Sequence, residues 1–175
     1  MSSVISTNAL PKSVHPADKW KPAFYTARKN KATDGDEIVS FAQNYFNVLK
    51  GFRSGEPLIF TNWQKWLLRS LYERDDVTGR LRYRRALIGL PRKQGKSLMM
   101  SAVGVYGMIA GESGSEVYAV ANDRQQARII FNEAKQQIVN SPLLAAESKV
   151  YRDAIEMPRF GSVFRVLSSD FKGQA

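Results

Sequence analysis

Three consecutive residues, Gly95-Lys96-Ser97, have the side chains and the spacing needed to bind a chain of phosphate groups. Glycine lets the backbone approach phosphate oxygens, lysine supplies a compact cation, and a serine hydroxyl is a ligand for Mg²⁺. In the signature G-x-x-x-x-G-K-[ST], the first glycine is replaced here by Leu90. That glycine serves loop geometry and not charge, and Pro91 fixes φ at the entry to the loop. The run therefore predicts a phosphate-binding loop.

The segments on either side of the loop decide whether the tripeptide is more than a chance occurrence. Arg84 to Gly89 has the pattern of a buried strand, and Ser97 to Ala110 has that of a helix. Small residues favour a close approach of this helix to a sheet, namely Ser101, Ala102, Gly104 and Gly107. A helix that starts at the loop directs free N–H groups and the positive end of its dipole at a phosphate. The order strand, loop, helix therefore supports the prediction.

Composition favours a globular protein with polyanionic partners. Of the 175 residues 43% are hydrophobic, which suits one domain with a packed core, and the formal net charge is +10. This charge suits nucleic acid or nucleotide and does not choose between them. Because the chain has no cysteine and one histidine, His15, disulfides and thiolate metal sites are excluded. A zinc site built on histidine and a Ser/His triad are disfavoured for the same reason.

Neither a secretion signal nor a membrane span is visible. Residues 1 to 16 are polar and mixed, and the longest apolar stretch, Leu98 to Ala110, is well short of a span. We therefore expect a soluble intracellular protein.

The other segments alternate between helical and extended patterns. Helices are predicted from Asp36 to Leu49, after the capping box Thr61-Asn62-Trp63-Gln64, and from Asn122-Asp123 to Asn140. Extended runs are predicted from Ser115 to Ala121, Lys149 to Glu156 and Ser162 to Ser168, the last two as a hairpin around Pro158-Arg159-Phe160-Gly161. This alternation implies an α/β fold with a parallel sheet flanked by helices.

Residues 1 to 33 have no repeating apolar face and are predicted to form a weakly structured N-terminal arm. Aromatic and basic residues are interleaved at Lys19-Trp20-Lys21 and from Phe24 to Lys31, a composition suited to bases and phosphates. Packing of the arm on its own domain is the competing interpretation. Residues 34 to 175 are predicted to be the folded domain.

The run Leu90 to Ser97 resembles the deviant Walker A loop of the large terminase subunits of tailed bacteriophages, which are viral DNA-packaging motors. Further stretches agree with that family in order and spacing. Thr61 to Trp66 resembles its glutamine motif, Ala119 to Ala127 its strand-to-helix segment after the loop, and Val166 to Asp170 the run before its Walker B strand. The resemblance covers about residues 57 to 175. It implies the front part of a P-loop NTPase of the ASCE type, an incomplete sheet and a C-terminal hairpin.

The resemblance also implies cofactors and site residues. ATP and Mg²⁺ would be bound by Gln64, Pro91, Arg92, Lys93, Gln94, Gly95, Lys96 and Ser97. Lys96 would bind phosphate and Arg92 would stabilise the γ-phosphate, which makes both catalytic candidates, while Ser97 would be the Mg²⁺ ligand. Gln64 would recognise adenine through its amide. Simpler roles stay open, with Arg92 as a general phosphate contact and Gln64 as the cap of its own helix.

The family continues beyond the region of resemblance with an apolar strand ending in Asp-Glu, the Walker B pair, and then with a coupling motif and a nuclease domain. Asp170 ends an extended run, but no glutamate follows it, and by resemblance it lies ahead of that strand. The chain thus resembles the front part of an ATPase domain. We expect these 175 residues to bind ATP with little or no turnover.

Two functions compete for this sequence, while a third, another P-loop enzyme such as a small kinase or a helicase-like ATPase, is disfavoured by the lack of a visible acceptor site and by the glutamine motif upstream. The first is the ATP-binding part of a translocase that moves double-stranded DNA into a procapsid. For it the resemblance implies a portal protein, a small terminase subunit and a homo-oligomeric ring, in the host cytoplasm and without a membrane. The basic residues Arg80, Arg82, Arg84 and Arg85 would then contact the DNA backbone, or form a solvated edge. The second is a truncated, non-catalytic module that binds nucleic acid or protein and has an idle loop.

Overall fold

The computed structural model describes residues 32 to 168. Most of the predicted arm, including its aromatic and basic stretches, and Asp170 lie outside this range. Backbone contacts divide the chain into two compact units. Of the described residues, the smaller unit contains 32 to 36 with 60 to 84, and the larger contains 37 to 59 with 85 to 168.

Along the described residues, three helices precede the first strand, two helices follow it, and three strands come last, so the predicted alternation holds only around the first strand. The helices are α1 (Gly35–Tyr45), α2 (Asn62–Leu71), α3 (Lys96–Ala110), α4 (Arg124–Asn140) and α5 (Pro142–Ala146). The strands are β1 (Glu116–Ala121), β2 (Lys149–Val150), β3 (Ala154–Met157) and β4 (Ser162–Ser168). Between residues 32 and 168, no helix combines the length and the hydropathy that a membrane span requires.

In the smaller unit, α2 begins at the predicted capping box. Thr61 is the N-cap, and its backbone N–H donates to Oε1 of Gln64 at 2.9 Å. The Thr61 hydroxyl donates to the same oxygen at 3.1 Å. The capping prediction is therefore confirmed, and it explains why the helix starts at Asn62.

In the larger unit, the sheet has the order β1-β4-β3-β2 and is mixed, so the prediction of a parallel sheet was only partly right. β1 and β4 are parallel, as expected for strands joined through a helix. β3 is antiparallel to both β4 and β2. The turn between Met157 and Ser162 reverses the chain between β3 and β4, and the reversal between Val150 and Ala154 does the same between β2 and β3. The predicted hairpin around residues 158 to 161 is thus confirmed and forms part of the sheet, but the run from Lys149 to Glu156 is not one strand. It is broken into β2 and β3, which pair antiparallel with each other.

Phe164 of β4 is the centre of the larger unit's core. Its side chain is 1% exposed and meets the ring of Phe131, from α4, edge-on with centroids 5.5 Å apart. Val117 of β1 lies beside Phe164 in register. A Cβ atom built on Gly104 of α3 would lie 2.8 Å from Cε1 of Phe164, so the helix backbone itself packs against this ring. The expected close approach of α3 to the sheet is confirmed.

The run before the loop differs from its prediction, because residues 84 to 89 do not form a buried strand. Leu87 is fully exposed, and Ile88 is half-buried. Among the described residues, no strand pairs with this run, and the strands of the sheet all come from elsewhere in the chain. Its backbone therefore lacks the ladder of hydrogen bonds that defines a strand. An apolar run has the composition of a strand, but it forms one only if a neighbouring strand is present to share backbone hydrogen bonds.

The first helix is shorter than predicted, since α1 ends at Tyr45 and not at Leu49. The backbone beyond it pairs with a later segment, with Leu58 N–H donating to Phe46 O at 3.0 Å and Val48 N–H donating to Glu56 O at 2.8 Å. These bonds take the groups that would otherwise continue the helix.

The contact between Gly104 and Phe164 generates the first prediction. We expect Gly104→Ala to lower the free energy of unfolding by about 1–3 kcal/mol, because the new methyl group has no space beside the ring. Gly107→Ala is the matched control in the same helix, since its Cβ would meet Val117 at 3.6 Å, an ordinary contact. The control should gain up to about 1 kcal/mol from helix propensity. Chemical denaturation measures both, and equal effects would contradict the packing described here.

Candidate functional site

The predicted phosphate-binding loop makes a sharp turn at the head of α3. Gly95 is the N-cap and has left-handed dihedrals, with φ 77° and ψ 18°. This is a conformation in which glycine has no steric penalty. The first helical hydrogen bond runs from Met99 N–H to Gly95 O at 2.9 Å. The backbone N–H groups of Lys96, Ser97 and Leu98 come before this bond in the chain and are therefore not part of the helical hydrogen-bond pattern. No side chain caps the helix at this end.

A second left-handed residue lies just ahead in the loop. Lys93 has φ 66°. Among residues 32 to 168 it is the only residue other than glycine whose φ is positive. Such a conformation costs a non-glycine residue about 1–2 kcal/mol. Alternation of left-handed and right-handed residues turns successive N–H groups toward one side, which makes a concave surface suited to anions.

The Lys96 ammonium lies over the start of the same loop. Its Nζ donates to the carbonyl oxygen of Leu90, and to that of Pro91 at 3.3 Å. Lys96 is half-buried, and both acceptors are neutral backbone groups. An anion entering here would therefore compete with carbonyl oxygens for the ammonium and would not have to break an ion pair.

The loop forms one wall of an open cleft with a volume of about 880 Å³. Residues 92 to 98 line this wall, while Val48 to Gly51 and Glu133 line the rest. The cationic side chains of the lining are Lys50, Arg92, Lys93 and Lys96, against the single carboxylate of Glu133. The cleft is therefore positively charged, as an anion-binding cleft must be.

Glu133 of α4 is half-buried in this lining. The pKa of the Glu133 carboxyl is raised above its ordinary value, because the effect of burial exceeds the opposing effect of the Lys50 charge. Among residues 32 to 168, the carboxylate has neither a hydrogen bond nor an ion pair. The sequence analysis did not identify Glu133 or Lys50 as site residues.

The second wall of the cleft is positioned by Gln137, which is fully buried in α4. Its Nε2 donates to Asn47 O at 2.8 Å, and Asn47 N–H donates to its Oε1 at 3.0 Å. This pair of bonds holds the chain just before Val48 against α4. Glu133 lies one helical turn before Gln137 and so on the same face of the helix. This wall depends on a contact between residues far apart in the chain, so no local sequence pattern predicts it.

The structure brings most of the predicted site residues together. Arg92 to Ser97 all line the cleft, with Arg92 and Lys93 exposed and the others half-buried. Pro91 contributes its carbonyl oxygen to Lys96. Gln64 belongs to the smaller unit, where it caps α2. Its adenine contact stays a prediction.

The basic run predicted as a DNA contact or a solvated edge is exposed. Arg82 forms an ion pair with the buried Glu73 at 3.1 Å, which gives it a structural role in the smaller unit. Arg80 and Arg84 are exposed in the same unit. Contact with DNA by these side chains stays a prediction.

The donor set of the loop fits Mg²⁺ that arrives with a nucleotide. Ser97, the second residue of α3, supplies one hydroxyl oxygen to the cleft. Within residues 32 to 168, no group of three or more acidic, histidine or cysteine side chains is arranged to hold a metal ion. Mg²⁺ in such sites keeps several waters and takes most of its other ligands from phosphates, so one protein hydroxyl suffices for a first contact.

The comparisons with known proteins agree with the fold and with the sequence resemblance. The family model of the ATPase domain of the terminase large subunit matches residues 62 to 173. This match covers more than half of the 175 residues, and the chain therefore belongs to the terminase large subunit family, within its ATPase domain.

Among individual proteins, the large terminase subunit of Enterobacteria phage HK97 is 24% identical over 114 residues. That alignment covers 64% of this chain and 22% of the relative. The crystal structure of the HK97 large terminase has a similar fold, with a TM-score of 0.67 at 18% identity, over 82% of this chain and 29% of the other. The chain thus corresponds to between a fifth and a third of the length of these relatives.

The clamp between Gln137 and Asn47 generates the second prediction. We expect Gln137→Met, which keeps the length of the side chain, to lower the free energy of unfolding by about 1–3 kcal/mol, because it leaves both backbone groups of Asn47 without a partner. The control is Gln136→Met at an exposed position of the same helix. Denaturant titration compares them, and a Gln137 variant as stable as the control would refute the clamp.

Proposed function

We propose that this chain is the ATP-binding part of a phage DNA-packaging motor and that the cleft beside α3 is its nucleotide site. The observation that carries the proposal is the left-handed turn at Gly95, which leaves the first amides of α3 uncapped beside Lys96. These groups line an open, cationic cleft within the region matched by the terminase ATPase model. The same turn is what a triphosphate requires of a loop at a helix N-terminus.

In this proposal, the loop binds the phosphates by exchange of hydrogen bonds. The amides of Lys96, Ser97 and Leu98 donate to phosphate oxygens. The Lys96 ammonium leaves its carbonyl acceptors for the outer phosphates, and Arg92 meets charge on the γ-phosphate from the cleft's edge. Ser97 offers its hydroxyl to Mg²⁺, which neutralises phosphate charge when bound. Gly95 permits the curl, and Pro91, Lys93 and Gln94 shape the loop.

The wider role is also proposed from the family. ATP hydrolysis in the longer protein would move double-stranded DNA into a procapsid, in a homo-oligomeric ring with a portal protein and a small terminase subunit, in the host cytoplasm. Force would arise from the difference in DNA affinity between nucleotide states. The ASCE-type strand arrangement and the adenine contact of Gln64 belong to the same proposal. Arg80, Arg84 and Arg85 are exposed cations suited to the DNA backbone.

The third prediction tests the nucleotide site. We expect Lys96→Ala to weaken Mg-ATP binding by at least about tenfold, since it removes the ammonium that meets the outer phosphates. Isothermal titration calorimetry on the 175-residue chain measures the affinity. Lys149→Ala is the matched control, because Lys149 is an exposed lysine in β2 that does not line the cleft.

Three results are informative. Weaker binding in the Lys96 variant alone supports the proposal. Equal binding in all three proteins would show that the ammonium makes no contact with the nucleotide. A chain that binds DNA in a salt-dependent manner, and no nucleotide at all, would favour the alternative of a nucleic-acid-binding module with an idle loop.

A further inference from the structure

The carboxylate of Glu133 is the feature of the cleft that phosphate binding leaves unexplained. Every other charged side chain of the lining is cationic, and all of those suit a polyanion. A half-buried carboxylate in the same cleft repels a triphosphate, and removal of water strengthens that repulsion. The Glu133 carboxylate therefore lowers the affinity of the cleft for a triphosphate that has no bound cation.

The surroundings of Glu133 do not give it an obvious structural role. Between residues 32 and 168 it makes no hydrogen bond and no ion pair. Lys50 is close enough to affect it electrostatically but is itself exposed to solvent. The neighbouring turn of α4 holds the second wall through Gln137, so the backbone that carries Glu133 is fixed against the chain that leads to Val48 and Lys50. The turn of α4 that carries Glu133 is thus fixed at the wall of the cleft.

We propose that Glu133 makes the cleft selective for Mg²⁺-bound triphosphate over the free triphosphate. The inference rests on the proposed nucleotide site and adds a residue that determines its ligand. Free ATP carries about four negative charges at neutral pH, and Mg²⁺ cancels two of them, so the repulsion from Glu133 falls most heavily on the free form. The cations of the loop attract both forms, whereas Glu133 penalises the form with the greater charge.

The test compares ATP binding with excess Mg²⁺ and with EDTA, in the parent chain and in Glu133→Gln. The variant should bind free ATP about tenfold more tightly at low ionic strength and Mg-ATP about threefold more tightly, because half the ligand charge gives half the repulsion energy. The ratio of the two affinities should therefore shrink, and the gain should diminish as salt is added. Glu147→Gln is the control, because it makes the same change in net charge at an exposed residue outside the cleft lining.

Each outcome decides the matter. A reduced Mg²⁺ dependence in Glu133→Gln alone supports the inference, and Glu133→Ala should repeat it if the amide variant does not fold. An unchanged ratio, or the same shift in the Glu147 control, would overturn the inference while Mg-ATP binding by the parent chain kept the nucleotide site intact. Failure of the parent chain to bind ATP in either condition would overturn the nucleotide site and the inference together.

Discussion

The geometry of the site depends on one backbone conformation, the left-handed turn at Gly95. It ends the loop and starts α3 at Lys96, and the leading residues of this helix line the cleft without a side-chain cap. A side chain at this position would have to adopt a conformation that costs L-residues about 1–2 kcal/mol. The same turn brings the ammonium of Lys96 back over Leu90 and Pro91. Without it, the amides and the ammonium would not converge on one space.

The replacement of the signature's first glycine by Leu90 does not prevent this arrangement. Leu90 contributes its carbonyl oxygen to Lys96, which any residue can do. The need for positive φ falls instead on Gly95 and on Lys93. The departure from the common pattern thus lies at a position where the backbone supplies the contact. This explains how a loop with a non-standard sequence keeps a cationic concave surface.

Much of the larger unit could be predicted from the sequence because its signals are local. The helix α3, the strand β1, the cap at Asp123 and the hairpin each follow from patterns within a few residues, and Asp123 accepts the expected bond from Gln125 N–H at 3.0 Å. Two features could not be predicted in this way. The wall of the cleft depends on the bonds between Gln137 and Asn47, which lie far apart in the chain. The run from 84 to 89 has a strand's composition, but pairing depends on a neighbour that no local pattern reveals.

The family match and the geometry of the loop are separate kinds of support. The family match covers residues 62 to 173 and identifies the domain from the sequence of that whole range. The loop geometry concerns only a few residues and would have the same chemical meaning in an unrelated protein. Their agreement supports the proposal of a nucleotide site at the start of α3.

The packing of Gly104 on Phe164 has a mechanical consequence. At Gly104 the backbone of α3 meets the ring of Phe164 directly, so only one rigid side chain separates the helix from β4 at this point. We therefore expect α3, which begins at the loop, and β4 to move together. A displacement of the loop end of α3 would in this way be passed on to the sheet.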